Sequence, residues 1–158
     1  MKYLKLFEVY REHDSGITQQ FTEIGDNIND ILYDIVDDGN PHLYPAMYNK
    51  WLHGVGGLMI EIASNENNEI RKGEGNVWVE GYDYFVITEK ICDSLKRCVV
   101  YIEQINKQSD KKYEINFNAY DGFLGRDIID TSTSENFNIN DLEKLVGEKP
   151  SVIGITIK

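Results

Sequence analysis

Hydrophobic residues recur at two different spacings along the chain, and these spacings predict the secondary structure. Between Ile17 and Asp38, apolar side chains return every three or four residues, which is typical of a helix with one buried face. The same spacing after a capping Thr88 predicts a second helix that ends near Gln108. Elsewhere apolar and polar residues alternate, or aromatic and aliphatic residues cluster, and these patterns predict strands. The predicted strands are residues 2–10, 58–63, 77–88, 113–117, 127–130 and 153–157.

Two further segments are less regular. Residues 40–57 contain two prolines and end in a glycine-rich run, so we predict a loop there with one short helix over residues 45–52. Near the C-terminus, Asn138 or Asn140 is expected to cap a brief helix through Val146, ahead of the last strand.

The order of these elements is β-α-β-β-α-β, followed by a helix–strand extension at the C-terminus. This order is that of the ferredoxin-like, split βαβ arrangement. We therefore predict an α+β fold in which residues 1–158 form a single domain. The domain is expected to be a two-layer sandwich with a mainly antiparallel sheet and both long helices on one face.

Composition and charge narrow the range of functions. The 158 residues include 27 acidic and 16 basic side chains, giving a formal net charge of −11. Because proteins bind nucleic acids mainly through Lys and Arg, this charge argues against direct nucleic-acid binding, and it disfavours an anionic membrane surface equally. The sequence contains no apolar run of about 18 residues and no signal-peptide pattern at its start. We expect a cytoplasmic protein, and the presence of only two cysteines agrees with a reducing compartment.

The negative charge is concentrated in the first predicted helix. No basic residue occurs between Arg11 and Lys50, and residues 1–40 carry a net charge of −6. Five carboxylates three or four residues apart fall on one helix face: Glu23, Asp26, Asp30, Asp34 and Asp37. Like charges at this spacing destabilise a helix by about 0.2–0.5 kcal/mol per pair. Most acidic runs serve only solubility, but this local cost favours a face that is complementary to a basic partner.

The sequence contains no recognisable catalytic, cofactor or metal motif, and we predict no catalytic residue, cofactor or metal ion. The glycine-rich runs lack the spacing of a phosphate-binding loop. His42 and His53 flank several aromatic residues, and this segment is either a loop packed on the domain or a ligand pocket.

These observations favour an immunity or inhibitor protein that occludes the basic active-site cleft of a bacterial toxin domain, such as a nuclease. The candidate partner-binding residues are Glu23, Asp26, Asp30, Asp34, Asp37, Asp38, Tyr44, Tyr48 and Trp51. The first alternative is a phage-type DNA mimic that inhibits a host defence nuclease. The second is a small enzyme or ligand-binding domain that uses the His42–His53 aromatic segment.

Overall fold

Two long helices lie where the hydrophobic spacing predicts them. The computed structural model describes residues 19–37, 41–49, 57–64, 84–121, 125–133 and 137–158. Helix α1 spans Gln19–Asp37 and helix α2 spans Glu89–Gln108. Thr88 caps α2, because its hydroxyl accepts a hydrogen bond from the backbone N–H of Ile91. Each helix buries one apolar stripe, and the two helices contact each other.

The described strands are β1 Pro41–Asn49, β2 Gly57–Ser64, β3 Ile115–Asp121, β4 Arg126–Asp130 and β5 Val152–Ile157. They form one sheet in the order β1-β2-β5-β3-β4, and every pairing between them is antiparallel. The prediction of an α+β fold with an antiparallel sheet is therefore confirmed. The closing strand β5 lies at the centre of the sheet, between β2 and β3.

The central strand aligns the apolar side chains of its two neighbours. Ile155 in β5 lies opposite Ile60 in β2 and Phe117 in β3, while Ile153 lies opposite Ile62 and Ala119. Because directly opposed residues share a sheet face, these rows cover one face with buried side chains. The same rows and the buried stripes of α1 and α2 belong to one hydrophobic core.

The loop and short helix predicted between residues 40 and 57 are wrong for the described part of that segment. Residues Pro41–Asn49 form strand β1, which pairs with β2. The prolines favour a loop in the sequence, but β1 lies at the edge of the described sheet, and an edge strand tolerates proline where the missing N–H would face away from the sheet. The register also shifts between Tyr44 and Met47, and this bulge accommodates the irregular sequence around Pro45.

The predicted strand over residues 77–88 is wrong at its described end, because residues 84–88 are not part of the sheet. They are nevertheless hydrogen-bonded to the segment that precedes β5. The N–H groups of Phe85 and Ile87 donate to the carbonyls of Pro150 and Glu148, at 3.1 and 2.9 Å. The predicted strand over residues 2–10 lies outside the described residues. The ferredoxin-like order, the two-layer sandwich and the single domain over the whole chain therefore stay predictions.

The short helix expected near the C-terminus is confirmed as a 3-10 helix over Ile139–Leu145, with Asn138 as its N-cap. It is attached to α2, because the Cys92 thiol donates to the carbonyl oxygen of Leu142 at 3.1 Å. Lys96 of α2 also forms an ion pair with Glu143. These contacts position the helix that leads into the central strand β5.

Candidate functional site: the acidic face of helix α1

Helix α1 has two chemically opposite faces. Its buried face consists of Phe21, Ile24, Ile28, Leu32 and Ile35. On the opposite side, Glu23, Asp30 and Asp34 are exposed and Asp26 is half-buried. Asp37 shares this side by its position in the helix, although its side chain lies outside the description. At 100° per residue, these five acidic positions fall within an arc of about 80°, and we call them the acidic face.

The position of the charge on α1 is electrostatically unfavourable to the helix itself. The first turn contains no acidic residue and the last turn no basic residue. Asp34 and Asp37 lie at the C-terminal end of the helix. This is the negative end of the helix dipole, where a carboxylate is unfavourable by about 0.3–1 kcal/mol at low salt. The stability of the helix itself thus gives no reason for placing these carboxylates there.

One carboxylate of the acidic face is already bound by the protein's own Arg97. The Arg97 guanidinium, on α2, donates through Nη2 to Asp34 Oδ2 at 3.2 Å. The same nitrogen donates to the carbonyl oxygen of Ile31 at 3.4 Å and to Ser94 Oγ at 3.0 Å. Sequence reasoning missed this contact, because the two residues are 63 positions apart and no local pattern links them.

A second polar contact joins the helices on the same side. Asn27 Nδ2 donates a hydrogen bond of 2.8 Å to the Tyr101 hydroxyl. Burial raises the pKa of the Tyr101 phenol, the hydrogen bond from Asn27 lowers it, and the charge of Glu23 raises it further. From the Asn27–Tyr101 contact to the Asp34–Arg97 contact, residue numbers rise along α1 and fall along α2, so the two helices are antiparallel. Arg97 and Tyr101 of α2 consequently flank the acidic face along one side.

Helix α2 provides an internal comparison for the charge of α1. Within Gln19–Asp37 there are five acidic residues and no basic one. Within Glu89–Gln108 there are three acidic and four basic residues. Both helices have an exposed surface and belong to the same core, yet only α1 carries charge of a single sign. The acidity of the described helices is therefore a property of one face.

The remaining candidate partner-binding residues are only partly described. Tyr44 and Tyr48 lie in β1, in register with Glu61 and Leu58 of β2, and their side chains are outside the description. Asp38 and Trp51 lie outside the described residues, so the part of these residues in partner binding stays a prediction. Tyr33 was not among the predicted binding residues, and its side chain on α1 is 53% exposed. Its position between charged residues in the sequence was the available signal.

The ligand pocket predicted between His42 and His53 lies outside the described side chains and stays a prediction. His42 lies in β1 without a described side chain, and His53 is outside the description. A separate open cleft of about 340 Å³ lies between β4 and the 3-10 helix, with Ile128, Phe137 and Leu145 among its lining residues. At its rim, Lys144 and Asp141 pair with each other at 2.6 Å. Two of the three charged residues that line the cleft thus pair with each other, and Glu148 is the third.

No group of three or more His, Cys, Asp or Glu side chains within the described ranges is arranged to hold a metal ion. Both cysteines are buried, and burial raises the thiol pKa of each, that of Cys98 to about 12. A thiol with a raised pKa is a poor nucleophile at neutral pH. The acidic face of α1 is therefore the most distinctive feature among the described residues.

Comparisons with protein-family models, curated proteins and solved structures give no match. In the part of the chain that the structure describes, neither helix has the length and apolar character needed to cross a membrane.

Proposed function

We propose that this protein is an inhibitor of the immunity-protein class, which binds a basic toxin domain such as a nuclease and occludes its active-site cleft. It acts in the cytoplasm by stoichiometric binding and has no enzymatic activity of its own. The observation that carries the proposal is the concentration of exposed carboxylates on one face of α1, at a local energetic cost, beside an α2 whose charges are balanced.

The geometry of α1 suits a basic cleft. Glu23 and Asp37 are about 21 Å apart along the helix axis at 1.5 Å per residue. Carboxylates repeated over that length meet the Arg and Lys side chains that otherwise bind phosphates. Complementary fields of this kind also accelerate association, towards about 10⁸–10⁹ M⁻¹s⁻¹ at low salt.

The edge strands of the described sheet are poorly suited to pairing with a strand of a partner, which favours docking on helix α1. In β1 the register shifts between Tyr44 and Met47. In β4, which is only five residues long, the pairing with β3 also shifts. Short or bulged edge strands discourage the addition of a further strand. The acidic face of α1 is the better surface for a partner.

The proposal is tested with the protein encoded by the gene adjacent to this one. We expect a one-to-one complex by calorimetry, with loss of that protein's nuclease activity at equimolar inhibitor. Changing Asp26, Asp30, Asp34 and Asp37 to Asn should weaken the complex strongly. Undiminished binding by that variant would remove α1 as the docking face.

The two alternatives give different results in the same experiment. A DNA mimic would compete with DNA for a host nuclease and would leave the product of the adjacent gene unbound. A ligand-binding domain or enzyme would retain a small molecule or metal through purification. Either result, in the absence of a complex with the adjacent product, would contradict the inhibitor proposal.

A further inference from the structure

The Arg97–Asp34 contact occupies one carboxylate of the acidic face. Arg97 and Asp34 are both about half exposed, with side-chain exposures of 52% and 55%. Arg97 binds Asp34, the Ile31 carbonyl and Ser94 through a single nitrogen, Nη2. The pair thus lacks the two parallel hydrogen bonds that make the strongest arginine–carboxylate contacts. An exposed contact of this kind is weak enough for another cation to replace it.

We propose that Arg97 is an internal competitor for the basic side chains of the partner, an inference that rests on the proposed function. In the free protein Arg97 occupies Asp34, which screens one end of the acidic face. A partner's guanidinium gains Asp34 only by displacing Arg97, so Asp34 contributes less to binding than the exposed Asp30. Removing Arg97 exposes Asp34 and increases the affinity for a basic ligand.

A matched control separates competition from net charge. Lys107 lies in the last turn of α2, is exposed, and forms no ion pair with a described residue. Arg97→Gln and Lys107→Gln remove the same charge from the same helix. A difference between these two variants therefore reports the contact with Asp34 and not the total charge of the protein.

The test is the affinity of the full chain for an oligoarginine peptide, measured by calorimetry at low salt. We expect R97Q to bind about two- to fivefold more tightly than K107Q, the factor that corresponds to one exposed ion pair. In the background of Asp34→Asn, the difference between the two variants should disappear, since Arg97 then has no carboxylate to occupy. Thermal unfolding of each variant establishes that it is folded.

The outcomes distinguish this inference from the proposed function. Failure of the wild-type chain to bind oligoarginine would overturn both. Binding by the wild type, with R97Q no tighter than K107Q, would overturn the inference alone. A difference that persists in the D34N background would also overturn it, because the effect would then not pass through Asp34.

Discussion

At the scale of the residue, Cys98 shows how a position in the hydrophobic pattern affects the reactivity of a side chain. It lies on the apolar stripe of α2 and is fully buried. A thiolate is poorly solvated in such a place, so burial raises the pKa of this thiol from 9.0 to about 12. Cys98 therefore packs as a small apolar side chain and is protected from reaction.

This raised pKa has a consequence for stability at high pH. Between pH 9 and about pH 12, the unfolded chain loses the Cys98 proton while the folded chain retains it. Over that window this group lowers the free energy of unfolding by up to about 1.4 kcal/mol per pH unit. We expect Cys98→Ala to reduce the slope, as measured by denaturant unfolding at several pH values. An unchanged slope would contradict the buried, protonated thiol.

For individual residues of the acidic face, the sequence predicts the position but not the contacts. The spacing of Glu23, Asp26, Asp30, Asp34 and Asp37 was sufficient to place them on one helix face, and the described members lie there. The ion pair of Asp34 with Arg97 was not predictable, because it depends on how α1 packs against α2. Helix periodicity predicts on which face of the helix a residue lies, whereas its contact partner depends on how the helices pack.

At the scale of the element, the long periodic segments were predictable and the irregular strand was not. The predicted bounds of α2 agree with Glu89–Gln108 because the period, the cap and the apolar stripe all indicate the same helix. Strand β1 contains two prolines, which are tolerable at the edge of the described sheet and beside a bulge. The central position of β5 was also not predictable from the sequence, since strand order depends on long-range pairing and not on the local pattern.

The close approach of β2 to the end of β5 requires a glycine at the first position of β2. A Cβ at Gly57 would overlap the carbonyl oxygen of Ile157, whereas a Cβ at Gly154 would lie 3.9 Å from its nearest contact, the Asn118 carbonyl. We expect Gly57→Ala to lower the free energy of unfolding by about 1–3 kcal/mol, the usual cost of overpacking. Gly154→Ala serves as the control in the same denaturant titration. An equal effect at both positions would contradict the close approach of β2 and β5.

At the scale of the whole molecule, the net charge of −11 is unevenly distributed. Bulk acidity would aid solubility wherever the charges lay, so a solvated protein has no need to place them on one helix face. A binding protein does have that need, because complementarity depends on the position of each charge. Where the charges lie, and not how many there are, is thus the property that distinguishes a binding protein from one whose acidity serves only solubility.

The most direct measurement compares two variants of equal net charge for binding to an oligoarginine peptide at low salt. Glu23→Gln with Asp30→Asn removes two exposed charges from the acidic face, and Asp93→Asn with Glu103→Gln removes two exposed charges from α2. We predict that the α1 variant loses at least about tenfold in affinity, corresponding to 1.4 kcal/mol, while the α2 variant remains close to the wild type. Equal losses in the two variants would show that only total charge matters and would contradict the acidic face as a binding surface.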